Sequence, residues 1–353
     1  MIMALVCIKK YRIILYTFVL FTLQGCNNNA SYKFPEFKKI DNIRGDTIIK
    51  DILCTNIWRM EVIDSLLVLN CVNSIDKKEF YIYNHISGAL LATFGESGNG
   101  PGELPANFDM SIDQKNRMIY AIGAHKNISY SIDSILTNKS SYQYNKEIPL
   151  NDIKNSKRTC YLENNTFYSI GDFRKHRDYR VAILNEVGDT LCCYKEKPVL
   201  TEIDKSDSKY RNLFYTYKFA GTLKPDATKY AYATTCGLHL EIFSMENQNI
   251  KRESFHKYIQ PKYLKQNPII NDGVIEGCTY LFSSNNYIYA KWSEDTQNKQ
   301  ATQIAVFDWK GSSKFMLNIG CPIGVVATTP NDESLFLEIK DELGQINIVR
   351  YKL

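Results

Sequence analysis

One local pattern returns through the chain at intervals of about fifty residues, and a recurrence of that length restricts the fold more than composition does. A short polar turn leads each time into a run of apolar and aromatic residues. The pairs are Asp64-Ser65 before LLVLN, Asn116-Arg117 before MIYAI and Asn164-Asn165-Thr166 before FYSI, then Asp226 to Lys229 before YAYAT, Asn285-Asn286 before YIYAK and Asn331 to Ser334 before LFLEI. The six runs begin at Leu66, Met118, Phe167, Tyr230, Tyr287 and Leu335, 48 to 63 residues apart. A second alternating run follows each, from Phe80, Ile128, Arg180, His239, Ile304 and Ile346. Outer runs stand at 90–94, 190–194 and 313–317, and further candidates precede the strong strand at 59–62 and 108–112.

These windows show period two, rich in Tyr, Phe, Ile and Val, which excludes a helical solenoid. Four short strands per repeat is the content of one propeller blade, and six copies exceed what a sandwich or a lipocalin barrel holds. The sequence therefore predicts an all-β chain: a six-bladed β-propeller of four-stranded antiparallel blades over residues 43–353. The last copy reaches Leu353 after its third strand. Its fourth is expected from the N-terminal side, at Thr47 to Leu53 (TIIKDIL), where pairing removes an open sheet edge.

Residues 1–25 read as an export signal. Lys9, Lys10 and Arg12 precede an apolar run from Ile13 to Leu23, too short for a membrane span, which needs roughly 20 residues. Leu23-Gln24-Gly25-Cys26 resembles the lipobox of bacterial lipoproteins, which implies cleavage before Cys26 and a diacylglycerol on its sulfur. Residues 26–42 then form a lipidated tether. Asn27 to Ser31 lack the acidic run that resembles a surface-export tag, so the expected location is the outer membrane, facing the periplasm. Cleavage removes three positive charges from a formal +5, which leaves no electrostatic footprint for nucleic acid. The eight cysteines that remain besides Cys26 lie mostly in strand-like runs and read as buried thiols; Cys192 and Cys193, adjacent on a strand, face opposite sides.

The densest run of turn residues is FGESGNGPGELP, 94–105, between an outer strand and the next inner strand. Gly95, Gly98, Gly100 and Gly102 permit a tight return, Pro101 fixes its own φ, and Glu103 is placed to accept backbone N–H groups. A phosphate loop would open a helix and carry a lysine, and this run does neither. Followed by FDMSIDQKNRMIYAI, it resembles the blade connection of six-bladed propeller lipoproteins of Bacteroidetes-type bacteria, and it is similar to NHL repeats. The resemblance, to TolB-like propellers of largely unassigned function, implies architecture and little chemistry.

No HExxH, no close His pair and no GxSxG elbow occurs, so no catalytic residue and no cofactor is expected. The propeller resemblance leaves one enzymatic alternative, a calcium-dependent lactonase or lyase, with Glu61, Asp109 and Glu276 as candidate inner-strand ligands. Phe173 to Arg180 (FRKHRDYR) is the most charged run; Arg174, His176 and Arg177 are candidate contacts for an anionic group such as a uronic acid, a lipid phosphate or an acidic peptide. Asp46-Thr47-Ile48, Asp64-Ser65-Leu66, Asp133-Ser134-Ile135 and Asp189-Thr190-Leu191 are similar to the O-glycosylation motif of exported Bacteroidetes proteins, with Thr47, Ser65, Ser134 and Thr190 as acceptors. The functional expectation is a membrane-anchored binding or scaffolding module for a glycan, peptide or protein partner. The sequence sets no oligomeric state.

Overall fold

The computed structural model describes residues 35–41, 43–98, 100–104, 108–138, 144–151, 156–171, 181–195, 219–235, 237–246, 249–259, 277–292 and 301–353. Two strands come first, β1 (Lys38–Ile40) and β2 (Gly45–Ile52). Blade one holds β3 (Asn56–Ile63), β4 (Leu66–Val72), β5 (Lys78–Asn84) and β6 (Leu90–Glu96). Blade two holds β7 (Asp109–Asp113), β8 (Met118–Ile122), β9 (Lys126–Ser131) and β10 (Lys146–Pro149), with a short helix α1 (Ile132–Thr137) before β10. Blade three is β11 (Ser156–Tyr161), β12 (Phe167–Gly171), β13 (Val181–Leu184) and β14 (Thr190–Tyr194). Blade four is β15 (Phe219–Leu223), β16 (Lys229–Thr234), β17 (Leu238–Glu246) and β18 (Asn249–Ile259). Blade five is β19 (Cys278–Ser283), β20 (Tyr287–Trp292), β21 (Gln303–Asp308) and β22 (Ser313–Asn318). Blade six has β23 (Val326–Thr328), β24 (Ser334–Lys340) and β25 (Ile346–Lys352), and takes β2 as its outer strand.

The six strong runs become β4, β8, β12, β16, β20 and β24, the second strand of each blade. Both of their faces are buried, which is why they read as almost unbroken apolar runs. On β4, Leu66 and Val68 pack toward blade two, while Leu67, Leu69 and Cys71 pack toward blade six. On β16, Tyr230 and Tyr232 face blade three, and Ala231 and Ala233 face blade five. Alternation thus deals each strand's side chains into two separate cores, one for each blade-to-blade interface. Aromatic rings fill several of these: Tyr168 of blade three stacks on Tyr230 of blade four at 4.0 Å, and Tyr120 of blade two on Tyr161 of blade three at 4.5 Å.

The turns between first and second strands explain the polar lead of several repeats. Asp64, Asn164 and Asn165 take positive φ (49°, 49° and 55°), a conformation Asp and Asn tolerate better than other side chains. The ring closes as the sequence predicts. Strand β2 runs antiparallel to β25, with Asp46 opposite Arg350, Ile49 opposite Ile348 and Ile52 opposite Ile346.

Two features depart from the sequence reading. The segment taken as tether contains β1, which adds a parallel fifth strand to β22 (Lys38 opposite Phe315, Ile40 opposite Leu317), and Phe37 sets its ring edge-on to Phe307 at 5.4 Å. Helix α1 was not foreseen, because six residues are too few to show a helical period. Ser131 caps it, accepting from the Ser134 N–H at 3.2 Å, and Ile132 and Ile135 bury into the core between blades one and two.

Closure should carry measurable stability. Ile49 and Ile52 are buried between blades six and one, so Ile49→Ala is expected to lower the unfolding free energy by about 2–5 kcal/mol in denaturant titration; a change within error would show that β2 is not needed to hold the ring.

Candidate functional site: the axial funnel

The first strands of the blades, β3, β7, β11, β15, β19 and β23, surround the axis. Their later residues, with the turns that follow, enclose a funnel of about 310 Å³ to which all six blades contribute. Hydrogen bonds between blades fix its wall. Gln114 Nε2 donates to the Val62 carbonyl at 2.8 Å, the Tyr161 N–H to Ser111 Oγ at 2.8 Å, and Ser283 Oγ to the Leu223 carbonyl at 2.7 Å.

The floor is charged. Arg158 extends from β11 across blade two, donating from Nη1 to the Met110 carbonyl at 2.8 Å and from Nη2 to Glu61 Oε1 at 3.3 Å, with Asp109 Oδ1 3.8 Å from Nη1. Asp109 Oδ2 also accepts from the Thr159 N–H at 2.9 Å. Arg59 reaches across to blade five, donating from Nη1 to the Tyr280 hydroxyl at 2.7 Å and lying 5.0 Å from that ring's centroid. Burial lifts the Asp109 carboxyl above its ordinary range, while Arg158 and Arg59 oppose the rise.

Cys160 also lines the funnel. Burial pushes its thiol up despite the same two guanidinium groups, so it lacks the depressed pKa that marks a reactive cysteine. Among the described residues that line the funnel there is no histidine. Glu61 and Asp109, candidate ligands under the calcium-dependent alternative, have the Arg158 guanidinium facing their oxygens. Among the described residues no group of three His, Cys, Asp or Glu is arranged to hold a metal; Glu276 lies outside them. Arg59, Arg158 and Tyr280 were not singled out in the sequence. They stand alone in three distant repeats, and only ring closure brings them together.

The glycine connection runs from β6 of blade one to β7 of blade two, away from the funnel mouth. Glu103 folds back as expected, accepting the Gly100 N–H on Oε2 at 2.8 Å. A Cβ on Gly98 would lie 1.9 Å from that oxygen. Gly102 takes φ +73° and donates its N–H to Glu147 Oε2 at 2.6 Å, and Pro101 stands exposed at the turn. The loop is a packed structural joint. Gly95 also takes positive φ.

Thr47 is exposed on β2, whereas Ser65 in its turn, Ser134 in α1 and Thr190 at the start of β14 are half-buried. Arg117 pairs with both Asp64 and Asp133 and so ties two of these motifs together across blades one and two. Cys26, Arg174, His176 and Arg177 lie outside the described residues. The seven described cysteines are free thiols, and Cys192 and Cys193 face opposite cores as expected.

Six sheets around a polar axial funnel define a six-bladed β-propeller. The chain belongs to the DUF5128 family of six-bladed β-propellers, whose profile matches residues 26–261. A crystal structure from Bacteroides fragilis NCTC 9343, described provisionally as an exported protein, is similar in fold: 13% identity, TM-score 0.54, covering 91% of this chain and 98% of its own. The β-propeller domain of Cps50 (Swd1) from Myceliophteria thermophila shows 12% identity and a TM-score of 0.49, covering 87% and 98%. At such identities the likeness is one of fold alone. No curated protein matches the sequence. Among the described residues no helix is long and apolar enough to cross a membrane.

Two substitutions probe this geometry. Arg158→Met strands Glu61 and Asp109 without their partner and should cost about 3–5 kcal/mol in denaturant unfolding; a neutral result would mean the floor is not held by charge pairing. Gly102→Ala forces a side chain into left-handed backbone, a penalty of roughly 1–2 kcal/mol, and aims its Cβ 2.3 Å from the Tyr144 ring. The melting temperature should fall, and an unchanged value would show that the joint is pliable.

Proposed function

We propose that this chain is an exported, lipid-anchored binding module whose ligand-receiving end is the axial funnel. The observation that carries the reading is the convergence of Arg59, Glu61, Arg158 and Tyr280, from three blades, on the floor of one cavity. Rigid inner strands hold them, and the surrounding turns offer recognition positions from every blade. With a paired, charge-compensated floor and a thiol kept protonated, the site is equipped to hold a ligand rather than to attack one. The partner is a glycan, a peptide or a segment of another protein.

Export and anchoring rest on the basic and apolar leader, the Leu23-Gln24-Gly25-Cys26 box, a family match that begins at residue 26 and a structural relative described as exported. The glycine connection at 94–105 supports placing the chain with TolB-like and NHL-like propeller lipoproteins. Residence at the outer membrane, facing the periplasm, follows from the lack of an acidic run after Cys26. Of the four Asp-Ser/Thr-aliphatic motifs, Thr47 presents the exposed acceptor for O-glycosylation.

Two measurements test this. In the native host, Cys26→Ser should abolish incorporation of labelled fatty acid and release the protein from the membrane fraction; retention of both would overturn the anchor. A thermal-shift screen of the full chain against oligosaccharides and short peptides should find a stabilising ligand whose effect weakens in Lys115→Trp, a bulky replacement at the exposed rim. A stabilising ligand indifferent to that replacement would place binding elsewhere on the ring.

A further inference from the structure

The funnel floor holds more hydrogen-bond donors than its own acceptors use. The Arg158 side chain is 8% exposed, and its Nε–H is buried without a hydrogen-bond partner. Buried guanidinium donors are ordinarily satisfied, and an orphan on a residue that lines a cavity asks for an explanation. Arg59, on the same floor, has one hydrogen-bond acceptor, the Tyr280 hydroxyl. Among the described residues no carboxylate lies within ion-pair distance of it.

A planar guanidinium matches a carboxylate with two parallel N–H donors, a geometry that ammonium groups and hydroxyls do not offer. Two such groups from different blades thus supply donors for one anionic head. Glu61, which lines the funnel, limits the charge that head can bear, since a dianion would meet its carboxylate. The same carboxylate can accept a hydrogen bond from a hydroxyl; Glu61 is one-third exposed and lines the funnel. About 310 Å³ is at the small end of ligand sites.

We propose that the funnel binds a small monocarboxylate bearing hydroxyl groups, the chemistry of a sugar acid, with its carboxylate between Arg59 and Arg158 and a hydroxyl donating to Glu61. This inference rests on the funnel being the ligand-receiving end and deepens it to a chemical class.

The test is calorimetric titration of the full chain with glucuronate, galacturonate, glucose and inorganic phosphate. A uronate should bind at least ten-fold more tightly than glucose and than phosphate. Arg59→Gln should lose ten-fold or more of that affinity while melting within a few degrees of the parent chain, and Arg59→Lys, which restores charge without the fork, should recover only part. Arg59 is half-buried and its one hydrogen bond goes to Tyr280 of blade five, so its replacement removes a single inter-blade contact. Equal affinity for glucose and uronate, tighter binding of phosphate, an unaffected Arg59→Gln variant or no binding of either uronate would each overturn the sugar-acid assignment. The broader reading would survive those results if some other ligand stabilises the chain and Lys115→Trp weakens it, and it falls if ligand binding ignores the rim.

Discussion

The ladder between β2 and β25 is the contact on which everything else depends. A propeller is a set of sheets that stack only on their neighbours, so each blade has two apolar faces and no third partner. With blade six lacking an outer strand, the Ile49 and Ile52 side chains would be missing from the core between blades six and one, and β25 would present an open edge. Drawing the outer strand from the beginning of the chain and the other three from its end makes closure a long-range event. Such contacts are slow to form, because chain entropy is lost before the pairing rewards it.

The same closure creates the funnel. Its floor is a property of the ring and of no single blade: Arg59 and Tyr280 meet across 221 positions of sequence, and Arg158 and Glu61 across 97. The inner strands, each paired within its own sheet, position these groups. Charge is nearly balanced there, while hydrogen-bond donors are in excess. Directional donors beside carboxylates discriminate among ligands by shape and hydroxyl placement more than by net charge.

What the sequence made legible follows from burial. The second strands, enclosed on both faces, show long apolar runs and were located within a residue of their observed starts. Strands β10 and β18 escaped notice, since KEIP and NIKRESFHKYI lie at blade edges and carry the charges expected of exposed rims. Glu103 was readable because its role is local, three residues from the N–H it accepts. Arg158 was not, because nothing near Lys157 or Thr159 distinguishes a buried axial guanidinium from a solvated one. The calcium alternative meets a related limit: sequence shows the carboxylates Glu61 and Asp109 but not the arginine that arrives from another repeat.

Strand β1 gives the ring a mechanical character. It lies parallel on β22, three residues long, and precedes the closing strand by only a few positions. A pull on the N-terminus therefore loads two ladders in series, first the short one on blade five and then the eight-residue one that locks blade six. The shorter would yield first and take up the strain while the ring stays shut. A propeller built this way carries a mechanical fuse ahead of its lock.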